Sequence, residues 1–193
     1  GKGVFLNTIT SILGDYATTA PLGMFVENKF DSHPTDMAML RGARLVTAQE
    51  VQEGKAWNEI KIKALTGGDS ISARFISKDF FTFTPNFKLL IAGNHEPQLR
   101  NVDDATIRRF NKLPFTNKPK KINRNLIEEL IPEHPGILQW MVNGCLLWQK
   151  EGLNPAQIVK ETTEKYFDNQ DTFSDFIEEH CEIDPSYKSI GNK

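Results

Sequence analysis

At 193 residues the chain has the length of one domain, or of one plus a small appendage, and it can bury a core without help from disulfides. Its 39% hydrophobic and 25% charged residues exclude a disordered or fibrous protein, and no apolar run approaches the ~18 residues that a membrane-spanning helix needs. The net charge of -2 hides two opposed runs: residues 108–124 carry seven cations and no acid, and residues 161–184 carry nine acids and one lysine.

Taken alone, each run reads as a solvated face. The start lacks the charged and then apolar pattern of a secretion signal, and Cys145 and Cys181 are too few for a disulfide framework. The expected compartment is therefore a reduced cytoplasm, with no membrane association.

In chain order, Phe5, Leu6, Ile9, Ile12 and Leu13 recur at helical spacing, which predicts a helix over 4–13 stopped by Gly14. Residues 15–35, with Pro21, Gly23 and Pro34, read as a connection, followed by a short helix at 36–40. A strand is expected at 44–48, then a helix at 57–65 with Trp57, Ile60 and Ala64 on one side, broken by Thr66-Gly67-Gly68-Asp69. Alternation of Ile71, Ala73 and Phe75, and then of Phe81 and Phe83, predicts a hairpin with its tip at Ser77-Lys78-Asp79. The phenylalanines of this region, Phe75, Phe81, Phe83 and Phe87, read as a core face. Leu89-Leu90-Ile91-Ala92 has the form of a parallel-sheet strand buried on both faces, closed by Gly93-Asn94. Helices follow at 123–131, 136–151, from 155, and at 173–180, with Trp140 and Trp148 read as core. The layout is α/β followed by a helical subdomain.

Gly1-Lys2-Gly3 before a helix has the form of the end of a phosphate-binding loop, because glycine-freed amides and a lysine at a helix N-terminus suit phosphate oxygens. Such a loop normally ends in Ser or Thr to hold Mg²⁺, and here Gly3 stands there. An ATPase of this kind needs an acid at a neighbouring strand tip to hold Mg²⁺ and polarise water, and Glu50 follows the strand at 44–48. It also needs a polar group to orient that water, the place of Asn94, and a transition-state cation, the place of Arg108 or Arg109. The four histidines have no metal-ligand spacing, and no metal site other than the Mg²⁺ position at Glu50 is assigned.

Gly1-Lys2-Gly3-Val4-Phe5-Leu6, Lys63-Ala64-Leu65-Thr66-Gly67-Gly68-Asp69, Phe87-Lys88-Leu89-Leu90-Ile91-Ala92-Gly93-Asn94-His95-Glu96-Pro97 and Ile107-Arg108-Arg109-Phe110 come in that order. Together they resemble the helicase domain of phage and plasmid primase-helicases, superfamily III helicases related to the poxvirus primase-helicase. The resemblance implies an AAA+-type P-loop ATPase core over residues 1–122 with a parallel central sheet and an inserted β-hairpin. A C-terminal helical subdomain at 123–170 and the start of an incomplete winged helix at 171–193 would follow, with the chain beginning inside its phosphate loop. It implies ATP and Mg²⁺ as cofactors, single-stranded or forked DNA as partner, a homo-oligomeric ring, commonly a hexamer, and a bacterial or phage-infected cytoplasm. Carried onto this sequence, Gly1, Lys2, Gly3 and Val4 hold the nucleotide, and Glu50 is the Mg²⁺ acid with Glu53 as helper. Asn94 is the sensor, and Arg108 or Arg109 reaches a neighbour's ATP. Lys63, Arg74, Lys78 and Phe80 face DNA; independently, Lys78 and Phe80 at the hairpin tip supply the cation and flat ring with which a motor grips a strand regardless of sequence. Two rival readings are a degenerate ATPase-fold module that assembles on origin DNA without turnover, and a small phosphate-loop kinase with Arg108 and Arg109 as lid arginines.

Overall fold

The computed structural model describes residues 1–28, 34–49 and 53–170. Its elements in chain order are α1 (Lys2–Leu13), β1 (Ala17–Thr19), α2 (Pro34–Ala38), β2 (Leu45–Gln49), α3 (Glu59–Gly67), β3 (Ile71–Ala73), β4 (Phe81–Phe83), β5 (Lys88–Ala92), α4 (Asp104–Ile107), α5 (Leu126–Leu130), α6 (His134–Glu151) and α7 (Gln157–Asp168). The chain is thus mixed α/β. A three-stranded, all-parallel sheet in the order β1-β2-β5 forms its base, and β3 and β4 make a separate antiparallel ribbon.

α1 starts at Lys2, two residues before the apolar period begins, because Gly1 acts as N-cap and its carbonyl accepts the Phe5 N–H. Gly14 ends it at φ +55, where a side chain would be strained. Directly afterwards comes β1, in a stretch that reads as connection. Three residues are too few to show a period, and this strand exists through its pairing: Ala17, Thr18 and Thr19 lie opposite Leu45, Val46 and Thr47. Thr19 Oγ1 and Thr47 Oγ1 meet at 3.1 Å across the pair.

β2 lies between its two neighbours, and its first four residues are buried. β5 pairs with it in register from Leu45↔Lys88 to Gln49↔Ala92, but Leu89 to Ala92 are only half-buried, not covered on both faces as their apolar run predicts. The core gathers Met24, Phe25, Leu40, Val46, Leu65 and Phe87 from the α/β part. Each such side chain contributes about 1.5–3 kcal/mol through burial. Tyr166 and Phe167 of α7 join the same core. Trp57, Phe110 and Phe167 pack edge to face in sequence, at centroid distances of 5.9 and 6.4 Å. The last helix therefore returns to the α/β body.

Other expectations change in detail. α3 begins after Asn58, whose side chain accepts the Lys61 N–H, and it buries Ile62 and Leu65. Ile60 is 83% exposed, so the buried stripe is not the one through Trp57 and Ile60; Trp57 precedes the helix and bridges to Val26 as extended chain. α5 starts at Leu126, not 123, and α7 at Gln157, not 155. α6 starts two residues earlier than expected, at His134, and has no buried residue: Trp140 is 68% exposed and Trp148 49%, so neither is core. Of the four phenylalanines, Phe87, just before β5, is buried and Phe81 and Phe83 of the ribbon are half-buried, but Phe75 is exposed beyond the last paired residue. The helix expected at 173–180 and the winged-helix start lie outside the described residues. Among those described, no helix is long and apolar enough to cross a membrane.

Candidate functional site

Parallel strands end together, and the loops at their carboxyl ends are where α/β proteins bind ligands. Here the aligned ends are Gln49 of β2 and Ala92 of β5. Glu50, next after Gln49, lies outside the described residues. Gly93 and Asn94 continue from β5, and Lys2 comes to meet them from the first turn of α1. Its Nζ donates to Gly93 O at 2.5 Å and to Asn94 Oδ1 at 2.7 Å. Two residues 92 positions apart, both singled out from the sequence, are thus in direct contact.

Around that contact, Gly1 and Gly3 are exposed and Val4 is half-buried. A side chain at Gly3 would meet nothing within 4 Å, whereas a Cβ on Gly1 would stand 3.4 Å from the Phe115 ring. Asn94 is exposed. Glu53 is exposed in a turn completed by Gly54 at φ +73.

A second cluster forms where α3 meets α4. Asp103 caps α4 by accepting the Thr106 N–H at 2.8 Å, and its other oxygen takes Lys63 Nζ at 2.7 Å. The Lys63 hydrogen bond, helped by Thr106, holds the Asp103 carboxyl well below the usual carboxylate range. Lys63, on α3 ahead of the ribbon, is therefore engaged at the start of α4. α4 is short, and the two arginines follow it. Arg108, at its C-cap, is exposed. Arg109 is half-buried: it donates from Nη1 to Ala105 O at 2.5 Å, and its Nη2 stands 3.3 Å from where a Cβ on Gly67 would be. Its Nε is buried without a partner. The glycine of the Thr66-Gly67-Gly68-Asp69 block thus makes room for one arginine and leaves the other free to face outward.

The third group is the ribbon tip. Ser77 sits at φ +57, and the Lys78 N–H closes the turn onto Phe75 O at 3.1 Å. The Arg74 guanidinium lies over the Phe80 ring at 4.7 Å, with Phe80 itself 60% exposed. Arg41 covers Phe81 at 4.8 Å and ties the last pair of the ribbon before its tip to the residues after α2. Arg74, Lys78 and Phe80 are all exposed on this one projection.

Sequence reasoning passed over the bracing of residues 95–99. Trp57 Nε1 donates to Tyr166 Oη at 2.9 Å, and that hydroxyl donates to Pro97 O at 2.5 Å. Burial pushes the Tyr166 phenol up to about 12, against the opposing effect of the Trp57 hydrogen bond. The available signal was the pair of amphipathic rings, each with a polar tip that must find a partner once buried. Among the described residues, no group of His, Cys, Asp and Glu is placed to hold a metal.

These features define a mixed α/β protein on a parallel sheet, with a helix N-terminal lysine brought to the carboxyl end of a strand. The chain belongs to the DUF5906 family, a family of unknown function, which it matches over residues 1–109. It is also 26% identical over 212 aligned positions to a protein of Acanthamoeba polyphaga mimivirus named as a putative helicase, covering 98% of this chain and 22% of that protein. A putative helicase of Frog virus 3 is 26% identical over 96% of this chain and 21% of its own length. One of Invertebrate iridescent virus 6 is 33% identical over 60% of this chain and 13% of its own. The chain spans about a fifth of the length of the first two relatives.

Proposed function

We propose that this chain is the ATP-hydrolysing motor part of a DNA helicase with an AAA+-type core, of the kind found in replication proteins of viruses, phages and plasmids. The observation that carries the reading is the contact of Lys2 Nζ with Asn94 Oδ1 at the aligned ends of the parallel strands. In a phosphate-loop ATPase these are the groups that must converge: the lysine that neutralises phosphate oxygens and the polar side chain that orients the attacking water. The helicase names of the large-DNA-virus relatives support the same reading.

The donor set fits a polyphosphate. The first-turn amides of α1 have no side-chain cap, Gly1 and Gly3 leave the backbone open to close approach, and Lys2 adds a full charge. MgATP supplies the phosphoryl group and a divalent charge to balance it. Lys2 would hold the β- and γ-phosphates, Asn94 would align the water, and Glu50, with Glu53 nearby in sequence, would hold Mg²⁺ and take up the water's proton. Since Gly3 has no hydroxyl, more of the cation's coordination falls to Glu50 and water. Arg108 is the exposed arm of the pair, which suits a cation delivered to a neighbour's ATP in a ring. Arg109 supports the backbone that presents it. Arg74, Lys78 and Phe80 on the ribbon tip would follow single-stranded DNA by phosphate contact and stacking.

The test is MgATP hydrolysis, with and without single-stranded DNA, by the full-length protein. Glu50→Gln should keep ATP binding and lose hydrolysis, and Lys2→Ala should lose binding. Mixing Arg108→Ala with Glu50→Gln subunits should restore part of the activity, because only mixed rings contain an interface with both groups intact. Normal hydrolysis by Glu50→Gln refutes the ATPase assignment. Absence of rescue in mixtures shown to co-assemble refutes the shared site.

A further inference from the structure

We propose that Tyr166 of α7 is a positioning residue for Asn94, and that α7 sets the catalytic geometry of the strand-end loop by clamping residues 96–99. The proposal rests on the reading of Asn94 as the water-orienting group. Asn94 is exposed and, among the described residues, its side chain has no hydrogen bond other than that from Lys2, so its position is set by the backbone on either side of it, β5 before and the segment that follows.

That segment is held at four successive residues. Glu96 pairs with Lys112 Nζ at 2.5 Å, and the Lys112 N–H is itself fixed to Thr163 Oγ1 of α7 at 2.9 Å. Pro97 O accepts from Tyr166 Oη, the end of the chain that begins at Trp57 Nε1. Gln98 exchanges backbone hydrogen bonds with Lys55 and Trp57, both at 2.9 Å. Leu99 N–H donates to Gln170 Oε1, just beyond α7, at 2.9 Å. Of the four attachments, three lead to α7 or its end, and the fourth leads to the stretch that follows Glu50 in the sequence.

A proline carbonyl accepting from a buried phenol is a stiff anchor, because both groups lack alternatives once water is excluded. Pro97 and Leu99 are buried while Asn94 and His95 are exposed and carry none of the four attachments, so the clamp holds the loop just beyond its working residue. A shift of α7 would move the Pro97 carbonyl, and with it the Asn94 amide, relative to Lys2. Because the phenol keeps its proton to about pH 12, it donates at every pH of interest.

The experiment is steady-state, DNA-stimulated ATP hydrolysis by the full-length protein, comparing wild type with Tyr166→Phe, Lys112→Met and Asn94→Ala. Tyr166→Phe should lower kcat about 10-fold with KM for ATP within two-fold of wild type, short of the ~100-fold that a 1 Å misplacement can cause. Lys112→Met removes a partly exposed ion pair and a cation over the Tyr166 ring while leaving the hydrogen bonds of the Tyr166 hydroxyl in place, and it should shift kcat alone, by about two- to three-fold, so the proposal stays testable even if Tyr166→Phe folds poorly. A folded Tyr166→Phe protein with wild-type kcat, while Asn94→Ala is inactive, overturns the clamp and leaves the ATPase reading standing. Wild-type turnover by Asn94→Ala overturns both.

Discussion

Replacing Arg109 and replacing Arg108 should have opposite consequences, although the two are adjacent and chemically identical. Arg109→Ala removes a charge-assisted hydrogen bond to Ala105 O and the packing of a half-buried stem, worth about 1.5–3 kcal/mol for the bond alone. Relief of the buried, unpartnered Nε offsets part of that, leaving a net loss of about 1–2 kcal/mol. For a chain of this size that lowers Tm by about 2–8 °C. Arg108→Ala touches nothing buried and should leave Tm within about 1 °C while abolishing hydrolysis. Gly67 provides an internal control. In wild type, Gly67→Ala sets a Cβ 3.3 Å from the guanidinium, which cancels the ~1 kcal/mol that alanine gains over glycine in a helix. In the Arg109→Ala background the same change should stabilise by up to about 1 kcal/mol. Thermal melts followed by circular dichroism on all four members of this cycle read the coupling directly. Additive effects, or equal destabilisation by Arg108→Ala and Arg109→Ala, would refute the division of labour.

Two further changes probe the site and the ribbon. Gly3→Thr meets open space and restores a hydroxyl beside Lys2, so the Mg²⁺ concentration for half-maximal hydrolysis should fall at least several-fold; a rise would mean that the position is not near the cation. Phe80→Ala removes one exposed stacking surface, worth about 1–3 kcal/mol per base. Single-stranded DNA should then bind roughly 5- to 150-fold more weakly, by fluorescence anisotropy, with DNA-free ATP hydrolysis unchanged. Unaltered DNA affinity would remove the tip from the interface.

Much of the α/β part was legible because its signals are local. The period of α1, the apolar run of β5 and the alternation around Ser77 each specify one element, and Gly93-Asn94 marks the strand end where Lys2 arrives. What could not be read depends on distant partners. β1 is a strand only by lying beside β2, and Ala17-Thr18-Thr19 carries no period of its own. Ile60 and Ile62 are equally apolar, and which of them is buried is set by how α3 rolls onto the core. Trp140 and Trp148 read as core because large apolar rings usually are, yet α6 meets the rest of the chain through the face of His134, Ile137 and Met141. The division between the arginines was unreadable for a different reason: it depends on the absence of a side chain at Gly67, more than forty positions away along the sequence.

The bareness of α6 also divides the energetics of the molecule unevenly. Eighteen residues held by their own backbone hydrogen bonds, with no buried side chain, cover almost none of the apolar surface whose hydration gives unfolding its heat capacity. Their melting should absorb the helix enthalpy at nearly constant heat capacity and run ahead of the α/β body, whose transition carries the curvature. Amide hydrogens from 134 to 151 would then exchange in an early, shallow regime while those of β2 wait for global opening, and ellipticity and tryptophan-quenching curves would part company during heating.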